Sequence, residues 1–481
     1  MFNTMIMNTE TSLSATGYGL LKKTMLKKDE ELLKAELTVK PNTVDYANSS
    51  GNDSSFCVYR ESNKKLYLPK FYGLKRYGEP NIDKLENGEP MNDQVKFEGS
   101  LRSNQLEPVK SYLDAAHNPC RRGGILQLPP GWGKTVMALH ICRELSTKTL
   151  VVVHKDFLLK QWKERIQQYL PLAKVGIIKQ SVFETNECDI VIGSLQTILG
   201  RDLTKCGFGL VIVDECHHMG AQVFSQALHK MNYTYSLGLS ATVTRSDGLS
   251  KVFKWFLGDV IFKAKRNEEE QKGVKVLIHE YYDPDPKYSF EYLLYNGRPN
   301  MSKMLNNICY YLPRTRMIVD YLCSTILKET PDRNVLILSD RRNHLEDIAE
   351  YLENLGFYKD IYGYYVGGMK SDKLLESEQK QILLGTYNMV SEGFDLPKLD
   401  TLVMASPKSN VEQSIGRIQR QLMKERRNPP LVLDIVDKFS VFKNQSRKRS
   451  TFYKKSGFDV VDTDTTNVKD NFTLKGKSYF I

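Results

Sequence analysis

The stretch from Ile125 to Val136, which reads ILQLPPGWGKTV, most constrains what this chain can fold into. A short apolar run ends at two prolines, a loop with Gly131 and Gly133 follows, and a helical pattern begins at Lys134. Glycine lets the backbone approach oxygen atoms closely, and the N–H groups at the start of a helix point outward without partners. The stretch is therefore typical of a loop that wraps a polyphosphate at the end of a strand.

Lys134 and Thr135 supply the side-chain chemistry of this loop. The lysine places a positive charge near the β and γ phosphates of a nucleotide, and the Thr135 hydroxyl can ligate Mg²⁺. The usual pattern has a glycine where Leu128 stands, so a glycine turn before a helix with an exposed lysine stays open for these residues alone. The predicted nucleotide contacts of the loop are Pro130, Gly131, Trp132, Gly133, Lys134 and Thr135.

Charge and cysteine content narrow the class of protein. The 481 residues include 68 Lys and Arg against 57 Asp and Glu, a net charge of +11 that suits a polyanionic partner such as nucleic acid. The 8 cysteines are scattered and show no Cys-x-x-Cys spacing, which argues against zinc and against a disulfide framework. No apolar stretch approaches the roughly 20 residues that cross a bilayer. These features predict no membrane association and a reducing intracellular compartment.

Short apolar runs alternate with amphipathic stretches in two successive regions. The first five runs are Ile125–Leu128, Leu150–Val153, Asp189–Ile192, Leu210–Val213 and Ser236–Leu239; the second five are Val335–Leu338, Tyr362–Val366, Gln381–Leu384, Thr401–Ala405 and Leu431–Ile435. Such runs are typical of buried parallel strands with helical crossovers. We expect an α/β protein with two tandem, doubly wound parallel-sheet domains. The predicted parts are an N-terminal accessory region at 1–95, a first domain at 96–262, a linker at 263–299, a second domain at 300–445 and a basic tail at 446–481.

Polar residues follow several of the predicted strands. Asp214 and Glu215 come directly after one of them, and ligands of open parallel sheets bind beyond the carboxyl ends of the strands. Some 80 residues after a phosphate loop, Asp214 is placed to hold Mg²⁺ and Glu215 to polarise the attacking water. A solvated acidic turn is the alternative for these two residues alone. Together with the phosphate loop they predict a nucleoside triphosphatase.

The octapeptide from Gln413 to Arg420, QSIGRIQR, is the third informative stretch. At helical spacing Gln413, Arg417 and Arg420 project from one face. Such an arginine cluster can neutralise the charge that develops on a transferring phosphoryl group, although a surface helix with ordinary basic residues fits the octapeptide as well.

Two flanking regions are less specific. Residues 1–95 contain one plausible helix from Lys22 to Leu37 and a possible hairpin from Phe56 to Leu68. Their lysines, arginine and tyrosines between 67 and 77 either stack on nucleic acid or pack on the next domain. Near the other end, Lys438 to Lys455 holds seven basic residues, no acidic one and four aromatics, which suits binding of a nucleic-acid strand. A solvated basic helix or a nuclear-import signal are the alternatives there.

GWGKT, DECH, SAT and QSIGRIQR, in this order, resemble the motifs of superfamily 2 helicases. The finer resemblance is to the XPB-like branch, which includes helicases of large eukaryotic DNA viruses such as the poxvirus transcript-release helicase. It rests on Leu101-Arg-Ser-Asn-Gln105, Leu158-Leu-Lys-Gln-Trp-Lys-Glu-Arg165, Ser240-Ala-Thr-Val-Thr-Arg245-Ser-Asp247 and Val441-Phe-Lys-Asn-Gln-Ser446, and it covers about residues 96–455. The resemblance implies that both domains are RecA-like. Ser246 replaces the glutamate of an Arg-Glu-Asp element, which puts a strand-splitting role of that loop in question.

The resemblance also implies residue roles. Arg102 and Gln105 would contact the adenine side of ATP, and Lys134, Thr135, Asp214 and Glu215 would carry the phosphate and Mg²⁺ chemistry. The residues implied to complete the ATP site from the second domain are Gln413, Arg417 and Arg420. The residues implied to line the nucleic-acid path or to couple it to ATP are Lys155, Ser194, Ser240, Thr242, Thr386, Glu392, Gly393 and Asp395.

The sequence therefore predicts an ATP-dependent DNA helicase or translocase with Mg²⁺ as cofactor, acting in viral transcription or in repair. Its implied partners are nucleic acid, DNA in preference to RNA, and the transcription machinery. For a viral protein the predicted location is the host cytoplasm or nucleus, or the virion. Three alternatives stay open: a duplex-DNA translocase that does not separate strands, an RNA helicase, and a nucleic-acid-binding scaffold whose ATPase is vestigial.

Overall fold

A computed structural model describes residues 10–42, 55–129, 131–242, 247–264, 273–357, 360–390, 394, 396–421 and 426–463. The chain divides into two compact units, Met1–Lys265 and Arg266–Ile481. In the described part of the chain we find no helix that is long and apolar enough to cross a bilayer.

The first unit begins with a small mixed sheet. Its elements are β1 (Thr11–Ser14), β2 (Gly17–Leu21), α1 (Lys27–Glu36), β3 (Thr38–Val39), β4 (Phe56–Cys57), β5 (Arg60–Glu61), β6 (Lys65–Leu68), α2 (Lys70–Tyr77) and β7 (Ile82–Asp83). The sheet order is β5-β6-β2-β1-β7. The helix expected from Lys22 starts only at Lys27, because Lys22–Thr24 forms a separate 3₁₀ turn, whereas the expected hairpin is present as β5 and β6.

The rest of the first unit is a doubly wound sheet. Its elements are α3 (Ser103–Ala116), β8 (Gly123–Gln127), α4 (Lys134–Leu145), β9 (Thr149–Val153), α5 (Asp156–Tyr169), β10 (Val175–Lys179), β11 (Val182–Phe183), β12 (Ile190–Ser194), α6 (Leu195–Leu199), β13 (Leu210–Val213), α7 (Ala221–Leu228), β14 (Tyr235–Ser240), α8 (Ser250–Leu257) and β15 (Val260–Lys263). The strand order is β11-β10-β12-β9-β13-β14-β8-β15, and every described pair is parallel except β10 with β11.

The N-terminal region packs directly on this sheet. Leu13, Leu66 and Phe71 belong to the same buried apolar cluster as Ile125 and Val211 of the sheet. The described residues between 10 and 95 therefore share a core with the large sheet that follows and are not a detached accessory module.

The second unit repeats the architecture with a fully parallel sheet. Its elements are β16 (Lys275–Tyr281), α9 (Pro286–Ser289), α10 (Met301–Cys309), α11 (Leu312–Tyr321), a π-helical turn (Leu322–Ile326), α12 (Leu327–Glu329), β17 (Val335–Ser339), α13 (Arg342–Asn354), β18 (Tyr362–Tyr365), α14 (Ser371–Glu378), β19 (Ile382–Thr386), α15 (Tyr387–Val390), β20 (Thr401–Met404), α16 (Glu412–Ile415), β21 (Leu431–Asp437), α17 (Ser440–Lys455) and β22 (Asp459–Thr463). The strand order is β18-β19-β17-β20-β21-β16-β22.

The two-domain α/β prediction is confirmed, since each of the ten apolar runs forms a strand of one of the two large sheets. Two predicted segments are different from what was expected. The linker at 263–299 contains β16, which lies inside the second sheet between β21 and β22. The basic tail from 446 continues α17 and then forms β22, so its described part, up to Thr463, is built into the second unit.

Candidate active site

The phosphate loop lies between the end of β8 and the start of α4. Gly131 has φ of 85° and Gly133 has φ of 72°, in the left-handed region that favours glycine. A Cβ on Gly133 would collide with the Gln105 side-chain amide. The loop thus has the backbone that its glycines predicted, with the unpaired N–H groups of the first turn of α4 at its end. Pro130 lies outside the described residues.

Gln105 ties α3 to this loop. Its Oε1 accepts from the Arg102 backbone N–H at 2.9 Å, and its Nε2 donates to the Trp132 carbonyl at 2.8 Å. The Gln105 side chain is buried, whereas Arg102 is exposed. The amide that was expected at the adenine side therefore also holds the phosphate loop in place, which the sequence pattern alone did not indicate.

Lys134 and Glu215 meet across the carboxyl edge of the sheet. The Lys134 Nζ contacts Glu215 Oε1, and the two side chains are 14% and 17% exposed. Glu215 follows β13 with φ of 45°, a left-handed conformation that is uncommon for a residue with a side chain and is concentrated at functional sites. The fold thus brings the loop lysine and the proposed base together from positions 81 residues apart.

Asp214 is buried beside them and is held by a tryptophan. The Trp162 indole Nε1 donates to Asp214 Oδ2 at 2.9 Å, and Trp162, on α5, is 1% exposed. Burial raises the pKa of Asp214, and the charge of Glu215 raises it further, while Lys134 and the Trp162 hydrogen bond act in the opposite direction. Trp162 is a residue that the sequence reasoning missed as part of the site, although it lies in the Gln-Trp stretch that carried the family resemblance.

A polar relay leads from Glu215 to the end of β14. His217 Nδ1 lies 3.4 Å from Glu215 Oε2 and 2.8 Å from the Ser240 Oγ, and the Ser240 hydroxyl donates to the Thr242 carbonyl. Since the serine proton goes to Thr242, its oxygen is left to accept from the histidine N–H. Ser240, which was expected to couple ATP chemistry to the nucleic-acid path, therefore contacts the turn that carries Asp214 and Glu215, and Thr242 is linked to that turn through Ser240.

Lys155 and Ser194 lie at the same edge of the sheet. Lys155 lies two residues after the end of β9 and directly before α5. Ser194 ends the neighbouring strand β12, where its Oγ lies 2.9 Å from Thr197 Oγ1. The first unit thus presents both residues at the carboxyl ends of adjacent strands.

The predicted residues of the second unit are arranged differently from the expected helical face. α16 ends at Ile415, and the backbone of Arg417 and Ile418 then bonds three residues back, so the three residues do not share one helix. Arg417 is buried and donates to the Phe394 carbonyl, whereas Gln413 and Arg420 are partly exposed. Thr386 ends β19 and is partly exposed. Glu392, Gly393 and Asp395 lie outside the described residues, as does Arg245.

The basic and aromatic residues of α2 are used within the fold. The buried Lys70 Nζ donates to the Tyr233 carbonyl at 3.1 Å and also to the Thr234 carbonyl, and Lys75 forms an ion pair with Asp259 at 2.7 Å. Arg76 pairs with Glu36 at 2.7 Å. The described geometry therefore supports the packing interpretation of these side chains.

The chain is similar to known helicases over most of its length. Residues 98–245 match the family described as the res subunit of type III restriction enzymes, and residues 317–422 match the helicase conserved C-terminal domain. A putative ATP-dependent RNA helicase of Acanthamoeba polyphaga mimivirus is 34% identical over 461 residues, covering 94% of this chain and 87% of the relative. A putative helicase of Invertebrate iridescent virus 6 is 27% identical over 445 residues, covering 87% of this chain and 94% of the relative.

Among solved structures, a variant of Dbp5 from S. cerevisiae bound to RNA and ADP BeF3 is similar in fold. The TM-score is 0.52 at 16% identity, and the match covers 77% of this chain and 96% of the other. The identity of the mimivirus relative, together with the two helicase domain matches, shows the family. The chain belongs to the superfamily 2 helicases of large DNA viruses and is a nucleic-acid-dependent ATPase.

Proposed function

We propose that this helicase hydrolyses ATP to move along or unwind DNA, in viral transcription or repair. The observation that carries the ATP site is the meeting of Lys134, Asp214 and Glu215 at one edge of the first sheet. Phosphoryl transfer to water needs groups that bind the phosphates, hold Mg²⁺ and orient the water, and the lysine after the phosphate loop and the two carboxylates after β13 are suited to these tasks.

Each residue has a defined task in this proposal. The loop N–H groups and Lys134 bind the β and γ phosphates, so Lys134 exchanges its contact with Glu215 for the nucleotide. Glu215, once released, accepts a hydrogen bond from the attacking water and orients it toward the γ phosphorus. The Thr135 hydroxyl and the Asp214 carboxylate are hard oxygen donors that fit Mg²⁺, which when bound would neutralise phosphate charge. As the family resemblance implies, Gln413, Arg417 and Arg420 of the second unit complete the ATP site in this proposal, the two arginines with positive charge and Gln413 with a neutral hydrogen-bonding amide.

Movement follows from the contacts of Glu215. When Lys134 exchanges Glu215 for the γ phosphate, the contacts among Glu215, His217 and Ser240 change in this proposal. Thr242, two residues beyond the end of β14, responds through its hydrogen bond with Ser240. In this proposal six residues line the strand path or couple it to the ATP site: Lys155, Ser194, Thr386, Glu392, Gly393 and Asp395. The grip is mostly to phosphates, which makes it independent of base sequence and sensitive to salt.

DNA as the track is supported by the resemblance of the SATVTRSD and LLKQWKER stretches to the XPB-like branch. An RNA helicase is the second candidate, because the mimivirus relative and the African swine fever virus relatives carry the name putative ATP-dependent RNA helicase. The two candidates differ in the polynucleotide that stimulates ATP hydrolysis.

The test is the ATPase rate at matched salt with single-stranded DNA, duplex DNA and RNA, together with strand release from a tailed DNA duplex. We expect stimulation by DNA above that by RNA, with ATP-dependent strand release. Stimulation by duplex DNA without strand release would indicate a duplex translocase, and stimulation by RNA alone would establish the second candidate. The Lys134→Ala variant is the control, and full activity of that variant would contradict the ATP site itself.

A further inference from the structure

Helix α17 sorts its basic residues onto two sides. Phe442, Arg449 and Tyr453 are its buried residues. Arg449 Nε bonds to Asp434 Oδ2 of β21 at 2.9 Å, and the Tyr453 hydroxyl donates to the same oxygen at 2.8 Å. Because a buried ion pair and a second hydrogen bond fix this side, the helix cannot roll about its axis. The orientation of its opposite side is therefore fixed as well.

The opposite side carries five exposed basic residues, which we call the α17 basic face: Lys443, Arg447, Lys448, Lys454 and Lys455. At about 100° per residue, Lys443, Lys454 and Arg447 fall within about 40° of one another, and the whole face spans about 140°. Among the described residues, no carboxylate pairs with any of the five. The segment from Lys438 to Lys455 also contains no acidic residue.

This arrangement is different from an ordinary solvated helix surface. Lys443 and Arg447 are like charges at i and i+4, which destabilise a helix unless an anion lies between them. The other basic side chains of the segment are paired, Arg449 with Asp434 and Lys438 with Glu280. The five residues of the α17 basic face are thus the basic residues of the segment for which the described part of the chain provides no carboxylate partner.

We propose that the α17 basic face binds the phosphate backbone of a DNA strand. The proposal rests on the function proposed above and names a surface of the second unit that holds the track. From Lys443 to Lys455 the helix runs about 18 Å, a length along which one strand of a duplex presents about five phosphates. The number of charges therefore matches the number of phosphates over this length.

The same geometry excludes base stacking as the main contact. Phe442 is 1% exposed and Tyr453 is 0% exposed, since both pack under the helix. Phe439 and Phe452, the other two aromatic residues of the segment, are partly buried and pack against the same apolar clusters. The contact is therefore with phosphates, and it should not depend on base sequence.

The experiment measures binding of a labelled 30-residue oligodeoxythymidylate to the full chain as a function of salt. One variant changes Lys443, Arg447 and Lys454 to glutamine, and a second changes all five residues of the α17 basic face. Each phosphate contact on a single strand contributes about −0.7 to the slope of log K against log salt. The magnitude of the slope should therefore fall by about 2 in the three-residue variant and by about 3.5 in the five-residue variant. A matched control changes Lys23, Lys27 and Lys28, three exposed lysines of the first unit, to glutamine and removes the same charge.

We expect an unchanged slope in the control and unchanged ATPase without nucleic acid in all variants, with melting temperatures that show the fold is retained. If the wild type binds DNA and the five-residue variant keeps its slope, the inference about α17 is wrong and the proposed function stands. Two other results would also overturn the inference about α17. One is a loss of slope in the control equal to that in the triple variant, and the other is a loss of slope when oligouridylate replaces oligodeoxythymidylate but not with oligodeoxythymidylate itself. If the wild type binds neither polynucleotide, both proposals fail together.

Discussion

The two large sheets have the same parallel architecture but use buried charge in opposite ways. In the second unit, Asp437 at the end of β21 is bound by Arg314 through two hydrogen bonds, of 2.8 and 2.9 Å, and both side chains are 0% exposed. The Tyr288 hydroxyl donates to the same carboxylate at 2.6 Å. In the first unit, Asp214 at the end of β13 receives the neutral Trp162 N–H, and the nearby lysine contacts Glu215 instead.

The difference shows what separates a structural carboxylate from one prepared for chemistry. Arg314 already donates to both oxygens of the Asp437 carboxylate, so a ligand there would add no stabilisation. The ion pair instead ties β21 to α11. A buried carboxylate whose pKa is raised by burial gains free energy when a cation arrives. In the first sheet, Asp214 can therefore still gain free energy from cation binding, at the edge where the phosphate loop lies. The following predictions test this contrast, from the largest expected effect to the smallest.

Glu215→Gln should abolish most of the hydrolysis and leave nucleotide binding intact. Removal of a group that orients or activates the attacking water lowers the rate by about 10²–10⁴-fold. Single-turnover ATP hydrolysis and binding of a fluorescent ATP analogue measure the two effects separately. Loss of binding together with hydrolysis would instead give Glu215 a role in holding the loop.

Arg314→Leu should destabilise the second unit and leave the contacts of Lys134, Asp214 and Glu215 in the first unit unchanged. Removing one partner of a buried ion pair leaves an uncompensated charge and costs about 3–5 kcal/mol. Denaturant unfolding measures the change, and Arg342→Leu is the control, because its ion pair with Glu346 is 63% and 51% exposed. A cost for Arg314→Leu no larger than that of the control would remove the contrast between the sheets.

Trp162→Phe should lower the ATPase rate with little loss of stability, because it removes one donor to Asp214 and keeps an aromatic ring. A hydrogen bond to a charged group is worth about 1.5–3 kcal/mol, which corresponds to about 10- to 150-fold in rate. The variant should also need more Mg²⁺, which titration of Mg²⁺-dependent nucleotide binding measures. Trp255→Phe is the matched control, since Trp255 packs on Tyr72 away from the phosphate loop. Equal behaviour of the two variants would contradict a positioning role.

Mild acid should destabilise both units through buried histidines, chiefly His229 in the first unit and His344 in the second. Burial lowers the pKa of His229 to about 4 and that of His344 to about 3. Both rings are neutral in the folded protein. Their contribution to the free energy of unfolding is therefore complete above the ordinary histidine pKa of about 6.5, and it is lost as the pH falls below that value because the unfolded chain then binds protons. Each histidine should cost about 1.4 kcal/mol per pH unit in that range. Urea unfolding at pH 7 and pH 5 measures the slope, which His229→Phe should reduce, and an unchanged slope in that variant would contradict the assignment.

The sequence by itself determined the two α/β domains and predicted most of the residues of the candidate ATP site. Val, Ile and Leu runs of four or five residues are local signals, and a strand end fixes where the next residue lies relative to the sheet. Asp214 and Glu215 could therefore be placed at the carboxyl edge from their position after Leu210–Val213 alone. The positive φ angles of Gly131 and Gly133 could likewise be predicted from the local sequence, because glycine readily adopts them.

Tertiary structure decided which distant side chains meet and which charges stay exposed. Trp162 and Asp214 are 52 residues apart, and no periodic pattern records that pairing. In the basic segment, the sequence showed seven basic residues of equal standing. Only the packing of α17 on β21 separates Arg449, which is neutralised inside the fold, from the five residues that face outward. The physical reason is that burial and ion pairing depend on what lies opposite a side chain in space, whereas periodicity reports only its neighbours along the chain.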